Sequence, residues 1–96
     1  LIFEDDLGPK IAEVHAKLPW ALELSEPRRW VLYNMAFNMG IWGLLGFRKM
    51  LVLGKAGLFE LSAAEMRDSR WSRQVGDRAL ELAQQWSSGE WSKETN

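Results

Sequence analysis

The chain has 96 residues, 47% of them hydrophobic and 26% charged, with a formal net charge of −1 and no cysteine. This composition suits one small globular domain with a packed core and a charged surface. It excludes a disulfide framework and a cysteine zinc site, and the balanced charge gives no general attraction to nucleic acid or anionic lipid. We therefore expect no cofactor, no metal, no nucleic-acid partner and no membrane contact. A signal peptide is not expected either, because no basic segment precedes an apolar run, and the cellular location stays open.

The first helix is predicted to end at Leu18, because a residue before a proline, here Pro19, is disfavoured in the helical conformation. Its apolar face recurs at spacings of three and four and consists of Ile11, Val14, His15 and Leu18. Pro9 favours a start at that position, although a helix that continues through Pro9 with a kink is the alternative. His15 is the single histidine, and we expect it to be packed or half-buried, because no nucleophile context accompanies it.

The central helix is predicted to begin after Ser25 and to end at Gly40. Ser25 is a favourable N-cap, Glu26 complements the positive helix end, and Pro27 lies in the first turn. Its apolar positions occur on every side, which is typical of a buried helix, and they are Trp30, Val31, Leu32, Met35, Ala36 and Met39. The segment 41–46 is expected to be a turn or a short helical piece.

The remaining chain also has helical patterns. One helix is expected over 47–53, and the next begins either near Phe59 or at Ser62 with a capping box, with the earlier start preferred. A last helix opens at Gly76-Asp77 and runs through Trp86. No alternation of period two accompanies hairpin turns, so we predict no sheet. The fold class is therefore all-α, a compact multi-helix bundle whose six tryptophans are mostly core anchors.

Three blocks of the sequence resemble the phage-type lysozymes, glycoside hydrolase family 24, of the T-even phage type. The blocks are Arg28-Arg29 to Gly46-Phe47 with Asn34-Met35 and Phe37-Asn38-Met39-Gly40, Asp68 to Ala79, and Gly89-Glu90-Trp91. The resemblance implies the C-terminal helical lobe of an enzyme that hydrolyses the β-1,4 bond between N-acetylmuramic acid and N-acetylglucosamine in peptidoglycan. Residues 1–18 would then be a remnant of the connector helix between lobes, and residues 19–96 the lobe itself.

The same resemblance implies that the N-terminal catalytic lobe is absent. In the family a catalytic glutamate is followed nine residues later by an aspartate or cysteine and six further on by a threonine. Here Glu13 lies nine residues after Glu4, and Leu22 nine after Glu13. Since glycoside hydrolysis normally requires an acid and a second catalytic group, we assign no catalytic residue and predict no glycosidase activity from this chain. The missing lobe becomes an expected partner, beside peptidoglycan glycan strands.

The resemblance further implies a substrate-binding wall that comprises Asn38, Met39, Gly40, Ile41, Arg70 and Trp71. For Arg70 the alternative is a surface ion pair, and for Trp71 a core anchor. Arg78 and Asn34 correspond to residues that support the contact between lobes. Without the other lobe, Arg78 is expected to be exposed or paired with Asp77 or Glu81, and Asn34 to bond to backbone.

Two other functions are weighed. A non-catalytic module that binds cell-wall glycan or regulates its cleavage would retain the same wall without hydrolysis. A DNA-binding module is disfavoured, because the arginines alternate with acids along the sequence and form no basic stripe. Self-association is a further expectation, because a lobe without its cover exposes apolar surface.

Overall fold

In the computed structural model of the protein, residues 4–91 are described, with side chains from residue 8 onward. Within this range the chain forms six α-helices and one 3-10 helix, with no strand. The elements are α1 (Glu4–Lys17), the 3-10 helix (Pro19–Glu23), α2 (Glu26–Leu45), α3 (Arg48–Lys55), α4 (Phe59–Arg67), α5 (Arg70–Val75) and α6 (Asp77–Ser88). The radius of gyration is 12.2 Å, close to the roughly 12–13 Å expected for a compact domain of this length. The predicted all-α bundle is confirmed.

Helix α1 begins at Glu4 and includes Pro9, so the preferred start at Pro9 was wrong. A proline inside a helix removes one hydrogen bond, and here five helical residues precede it. The predicted end holds, since Leu18 lies just outside the helix. His15 is half-buried, as predicted, and its Nε2 lies 2.6 Å from the Tyr33 hydroxyl of α2. This contact joins α1 to α2.

Helix α2 is interrupted at Gly40, as the sequence predicted. Gly40 has φ 80° and ψ 162°, a region that is essentially restricted to glycine because a Cβ would clash with the backbone. The chain then resumes as a short helical piece to Leu45. The buried residues of α2 are Val31, Leu32, Tyr33, Met35, Ala36, Ile41 and Leu44, which confirms a central buried helix.

The start of α2 is held against the end of α6 by side chains that bond to backbone carbonyls. Arg28 Nε and Nη2 donate to the carbonyls of Trp86 and Ser87, both at 2.8 Å, and Gln85 Nε2 donates to the Pro27 carbonyl at 2.7 Å. We call these three bonds the α2–α6 clasp. The last carbonyls of a helix lack intrahelical donors, so the arginine satisfies two of them. Burial lowers the pKa of the Arg28 guanidinium.

A buried polar contact joins α3, α4 and α6. Ser62 Oγ donates to the Met50 carbonyl at 2.5 Å and accepts from Trp86 Nε1 at 2.8 Å. Ser62 and Trp86 are both fully buried. A Cβ on Gly54 would lie 2.6 Å from Trp86 Cζ2, so α3 and the indole approach as closely as a glycine allows. Helix α4 begins at Phe59, which confirms the earlier of the two predicted starts.

The six tryptophans divide into three pairs. Trp71 and Trp86 are buried in the core, and Trp20 and Trp30 pack against it half-buried. Trp42 and Trp91 are exposed. Four of the six therefore pack in or against the core, which confirms the prediction that most tryptophans are core anchors.

Candidate functional site

A groove of about 490 Å³ lies between the end of α2, the start of α3 and the connection from α4 to α5. We call it the α2–α5 groove. The residues that line it are Gly43, Gly46, Phe47, Arg48, Lys49, Met50, Glu65, Asp68, Ser69, Arg70 and Trp71. It combines two predicted site residues, Arg70 and Trp71, with the glycine-punctuated segment that follows Gly40.

Ser69 positions the two predicted residues at the start of α5. Its Oγ accepts from the Ser72 backbone N–H at 3.1 Å and donates to the Met66 carbonyl at 2.6 Å. A serine N-cap of this kind satisfies a free helix donor and stabilises the helix start by about 1 kcal/mol. The first residue of the helix, Arg70, is exposed, and the second, Trp71, is buried.

Trp71 is a core anchor that also borders the groove. Only 9% of it is exposed, and its ring meets the Phe47 ring edge-on, with centroids 5.9 Å apart. Its indole Nε1 is buried and has no hydrogen-bond partner among the described residues. Such a donor is unusual, because a buried unpaired N–H costs about 1–3 kcal/mol.

The groove carries charges of both signs. Arg48, Lys49 and Arg70 are exposed cations, Asp68 is exposed, and Glu65 is half-buried. Across residues 8–91 no carboxylate lies within 4 Å of Arg70, so the surface ion pair considered for it is not present there. Cations with free hydrogen-bond donors favour a ligand that carries carboxylates.

Sequence reasoning missed four of these groove residues: Arg48, Lys49, Glu65 and Asp68. They lie in two separate stretches of the chain, and only the packing of α3 against α4 and α5 brings them together. No local signal in the sequence distinguishes them from ordinary surface charges.

The other predicted wall residues do not line the groove. Asn38 is exposed, Met39 is half-buried, Gly40 lies at the break in α2, and Ile41 is buried in the core with 5% exposure. The structure therefore separates the predicted wall into two parts, and a contact between Asn38 to Ile41 and substrate stays a prediction.

Arg78 and Asn34 contact each other. Arg78 Nη2 donates to Asn34 Oδ1 at 3.2 Å, and Arg78 Nη1 lies 3.4 Å from Glu81 Oε1. Asn34 Nδ2 donates to the Trp30 carbonyl at 2.7 Å. The predicted local pair with Glu81 and the backbone bond of Asn34 are thus present. The bond between Arg78 and Asn34 was not predicted, and a supporting role between lobes stays a prediction.

Metal binding and membrane crossing find no support in the described residues. These residues contain no group of three or more histidine, aspartate or glutamate side chains that could hold a metal ion. None of the helices in residues 4–91 is long and apolar enough to cross a membrane.

Comparison with known proteins corrects the predicted family. No family model matches this chain. The three blocks that suggested a phage-type lysozyme lie largely at positions that the helical architecture itself requires. Arg28 bonds to the end of α6, Gly40 has a positive φ, and Ser69 caps α5. Residues of this kind occur at helix ends and turns in many helical proteins. The assignment to that lysozyme family was wrong, because no family model matches the chain and the similar protein is a phage baseplate spike protein.

One relative was found among proteins of known identity. The chain is 36% identical over 81 residues to the pre-baseplate central spike protein Gp5 of Enterobacteria phage T4. The match covers 81% of this chain but only 14% of the relative. The phage character of the prediction agrees with this similarity, whereas hydrolysis of peptidoglycan is not tested by it. The chain is therefore similar to a short part of a phage baseplate spike protein.

Proposed function

We propose that this chain provides a wall that binds peptidoglycan glycan strands in a cell-wall-degrading component of a phage baseplate spike. The observation that carries the proposal is the α2–α5 groove, where the buried indole of Trp71 forms part of the wall beside the exposed cations Arg70, Arg48 and Lys49. The volume of about 490 Å³ falls within the range of small-molecule sites.

The chemistry of the groove matches an amino-sugar polymer. Arginine can bind the carboxylates of muramyl residues or their peptides in bidentate geometry. The buried indole N–H of Trp71 can donate to the carbonyl oxygen of an acetamido group where binding opens it to the groove. Bacterial peptidoglycan offers both groups on neighbouring sugars. The similarity to a phage baseplate spike protein is consistent with a ligand in the bacterial cell wall.

Hydrolysis would depend on groups outside this chain. Only two carboxylates line the groove, Glu65 half-buried and Asp68 exposed. A glycosidase acid is normally held protonated by an apolar, desolvated site, and a second carboxylate stands at a defined distance from it. Neither groove carboxylate is enclosed in this way. The proposal therefore assigns binding to this chain and places the catalytic acid elsewhere.

The proposal is tested by titrating the isotopically labelled chain with glycan strands of alternating N-acetylglucosamine and N-acetylmuramic acid. We expect chemical-shift changes at Gly43, Gly46, Arg70 and Trp71, with a downfield shift of the Trp71 indole N–H. Trp71→Phe keeps an aromatic anchor but removes this donor, and it should weaken binding about fivefold, equivalent to roughly 1 kcal/mol for one hydrogen bond.

Trp20→Phe is the matched control, because Trp20 is half-buried and does not line the groove. It should leave the affinity unchanged. No shift at the groove residues, or equal affinities for parent and Trp71→Phe, would contradict the proposal. A turbidity assay on permeabilised Gram-negative cells should detect no lysis. If lysis occurs and Glu65→Gln abolishes it, the placement of the acid outside this chain is wrong.

A further inference from the structure

Trp42 is the large hydrophobic residue with the greatest exposure among the described residues, at 72%. Exposure alone does not indicate a binding site, because single apolar side chains often face water. Two further features distinguish Trp42. A cation lies over its ring, and the segment that carries it is fixed in place.

The cation belongs to Lys17, in the last turn of α1. Its Nζ lies 5.1 Å from the centroid of the Trp42 ring, within the range of a cation–π contact. No carboxylate stands within 4 Å of Lys17 Nζ across residues 8–91. The ammonium group therefore orders the indole and keeps hydrogen-bond donors available, while most of the residue stays open to solvent.

The short helical piece that carries Trp42 is held by its glycines. Gly40 turns the chain with a φ of 80°, and a Cβ on Gly43 would lie 2.8 Å from Met39 Cγ. Met39 thus packs directly on the backbone one residue beyond Trp42. Ile41 and Leu44, on either side of Trp42 in this piece, are both buried in the core, which anchors the piece on its inner side.

We propose that Trp42 and Lys17 form a second carbohydrate site, outside the α2–α5 groove, for a pyranose that carries a carboxylate. The indole face turned away from Lys17 stacks on the C–H face of the sugar ring, and the carboxylate reaches past the ring edge toward the ammonium group. Within a glycan strand this sugar is the N-acetylmuramyl residue with its lactyl carboxylate. The inference rests on the proposed function and extends it to a second contact on the same polymer.

The test compares two variants of the full chain with one control. Trp42→Ala removes the stacking surface, Lys17→Met removes the charge but keeps a flexible stem over the ring, and Trp91→Ala removes an exposed tryptophan elsewhere. Two probes separate the contributions: chitohexaose, which is neutral, and glycan strands that contain N-acetylmuramic acid. Affinities are measured by isothermal titration calorimetry, and far-UV circular dichroism confirms that each variant is folded.

Trp42→Ala should weaken the binding of both probes about tenfold. Lys17→Met should weaken only the muramyl-containing strands, by about threefold, and Trp91→Ala should change neither affinity. If the parent binds and its groove signals shift, but Trp42→Ala binds as tightly as the parent, this inference is overturned while the proposed function stands. If the parent binds neither probe, the proposed function fails and this inference fails with it.

Discussion

The most direct test of the packing concerns the Ser62 hydroxyl, which is the hydrogen-bond partner of the Trp86 indole in the core. Ser62→Ala leaves the fully buried Trp86 Nε1 without an acceptor. An orphaned buried N–H costs about 1–3 kcal/mol, and the higher helix propensity of alanine within α4 offsets about 0.5 kcal/mol of this. We expect a net loss of about 1.5 kcal/mol, which for a domain of this size lowers the melting temperature by roughly 6–12 °C.

The assay is thermal and urea unfolding followed by circular dichroism, with Ser72→Ala as the matched control. Ser72 is also a buried serine in a helix, and its side chain makes no hydrogen bond in residues 8–91, so its loss should change stability by less than about 0.5 kcal/mol. Repeating Ser62→Ala in a Trp86→Phe background isolates the interaction energy between the two side chains. The bond from Ser62 to the Met50 carbonyl is lost in both backgrounds. An undiminished cost of Ser62→Ala in the Trp86→Phe background would refute the reasoning, because the unpaired indole N–H would then contribute nothing to it.

Three further predictions concern the backbone break, the clasp and the single tyrosine. Gly40→Ala should destabilise the chain by about 1–3 kcal/mol in urea unfolding, because of its φ of 80°, whereas Gly8→Ala, which has no neighbouring atom within 4 Å, should stabilise α1 or leave it unchanged. Arg28→Met should cost about 2 kcal/mol through the loss of two bonds to α6 carbonyls. Arg67 is exposed, so Arg67→Met should leave the free energy of unfolding unchanged. Equal losses of stability in the two variants would contradict the stabilising role of the clasp. Burial raises the pKa of Tyr33 above 10, although Arg29 partly opposes the shift. Absorbance at 295 nm should therefore show tyrosinate forming at higher pH in the folded chain than in guanidinium. Because the folded pKa is raised, the stabilisation is complete below pH 10 and is lost above it, and Tyr33→Phe should lose less stability over that range. Identical titration curves in both states would contradict the burial argument.

Local patterns predicted most of the fold because they depend on neighbours in the chain. The apolar positions of α2 and the stop at Gly40 follow from helical periodicity and from the one residue type that tolerates its φ. Helix starts were less predictable. Helix α1 begins five residues before Pro9, and the side chains of two candidate caps have other partners. Ser25 occupies the predicted N-cap position, but its hydroxyl donates weakly to the Gly89 carbonyl at 3.4 Å instead of capping α2. Ser62 resembled a cap and turned out to be a core residue.

The start of α5 was not predicted, because its six residues are too few for a periodic pattern to stand out. Ser69 lies between α4 and α5 and caps α5. The sequence from 59 to 75 shows no break at this position.

The candidate site was less predictable than the fold. Arg70 and Trp71 were identified by resemblance, and the structure places them together in one groove. The charges opposite them, on Arg48 and Lys49, could not be found in the sequence, since their proximity depends on how α3 packs. The resemblance also led to a wrong family, because residues at helix ends recur wherever helices have to end in the same way.

The α2–α6 clasp has a consequence for the order in which the chain folds. Its bonds join residues 58 or 59 positions apart, and closing a flexible loop of that length costs about 3–4 kcal/mol of entropy. The contacts among α3, α4 and α6 close shorter loops, so they form at a lower entropic cost. We therefore expect the clasp to form late in folding and to break early in unfolding. Changes at Arg28 then act mainly on the rate of unfolding, so these bonds govern how long the folded state lasts more than how quickly it forms.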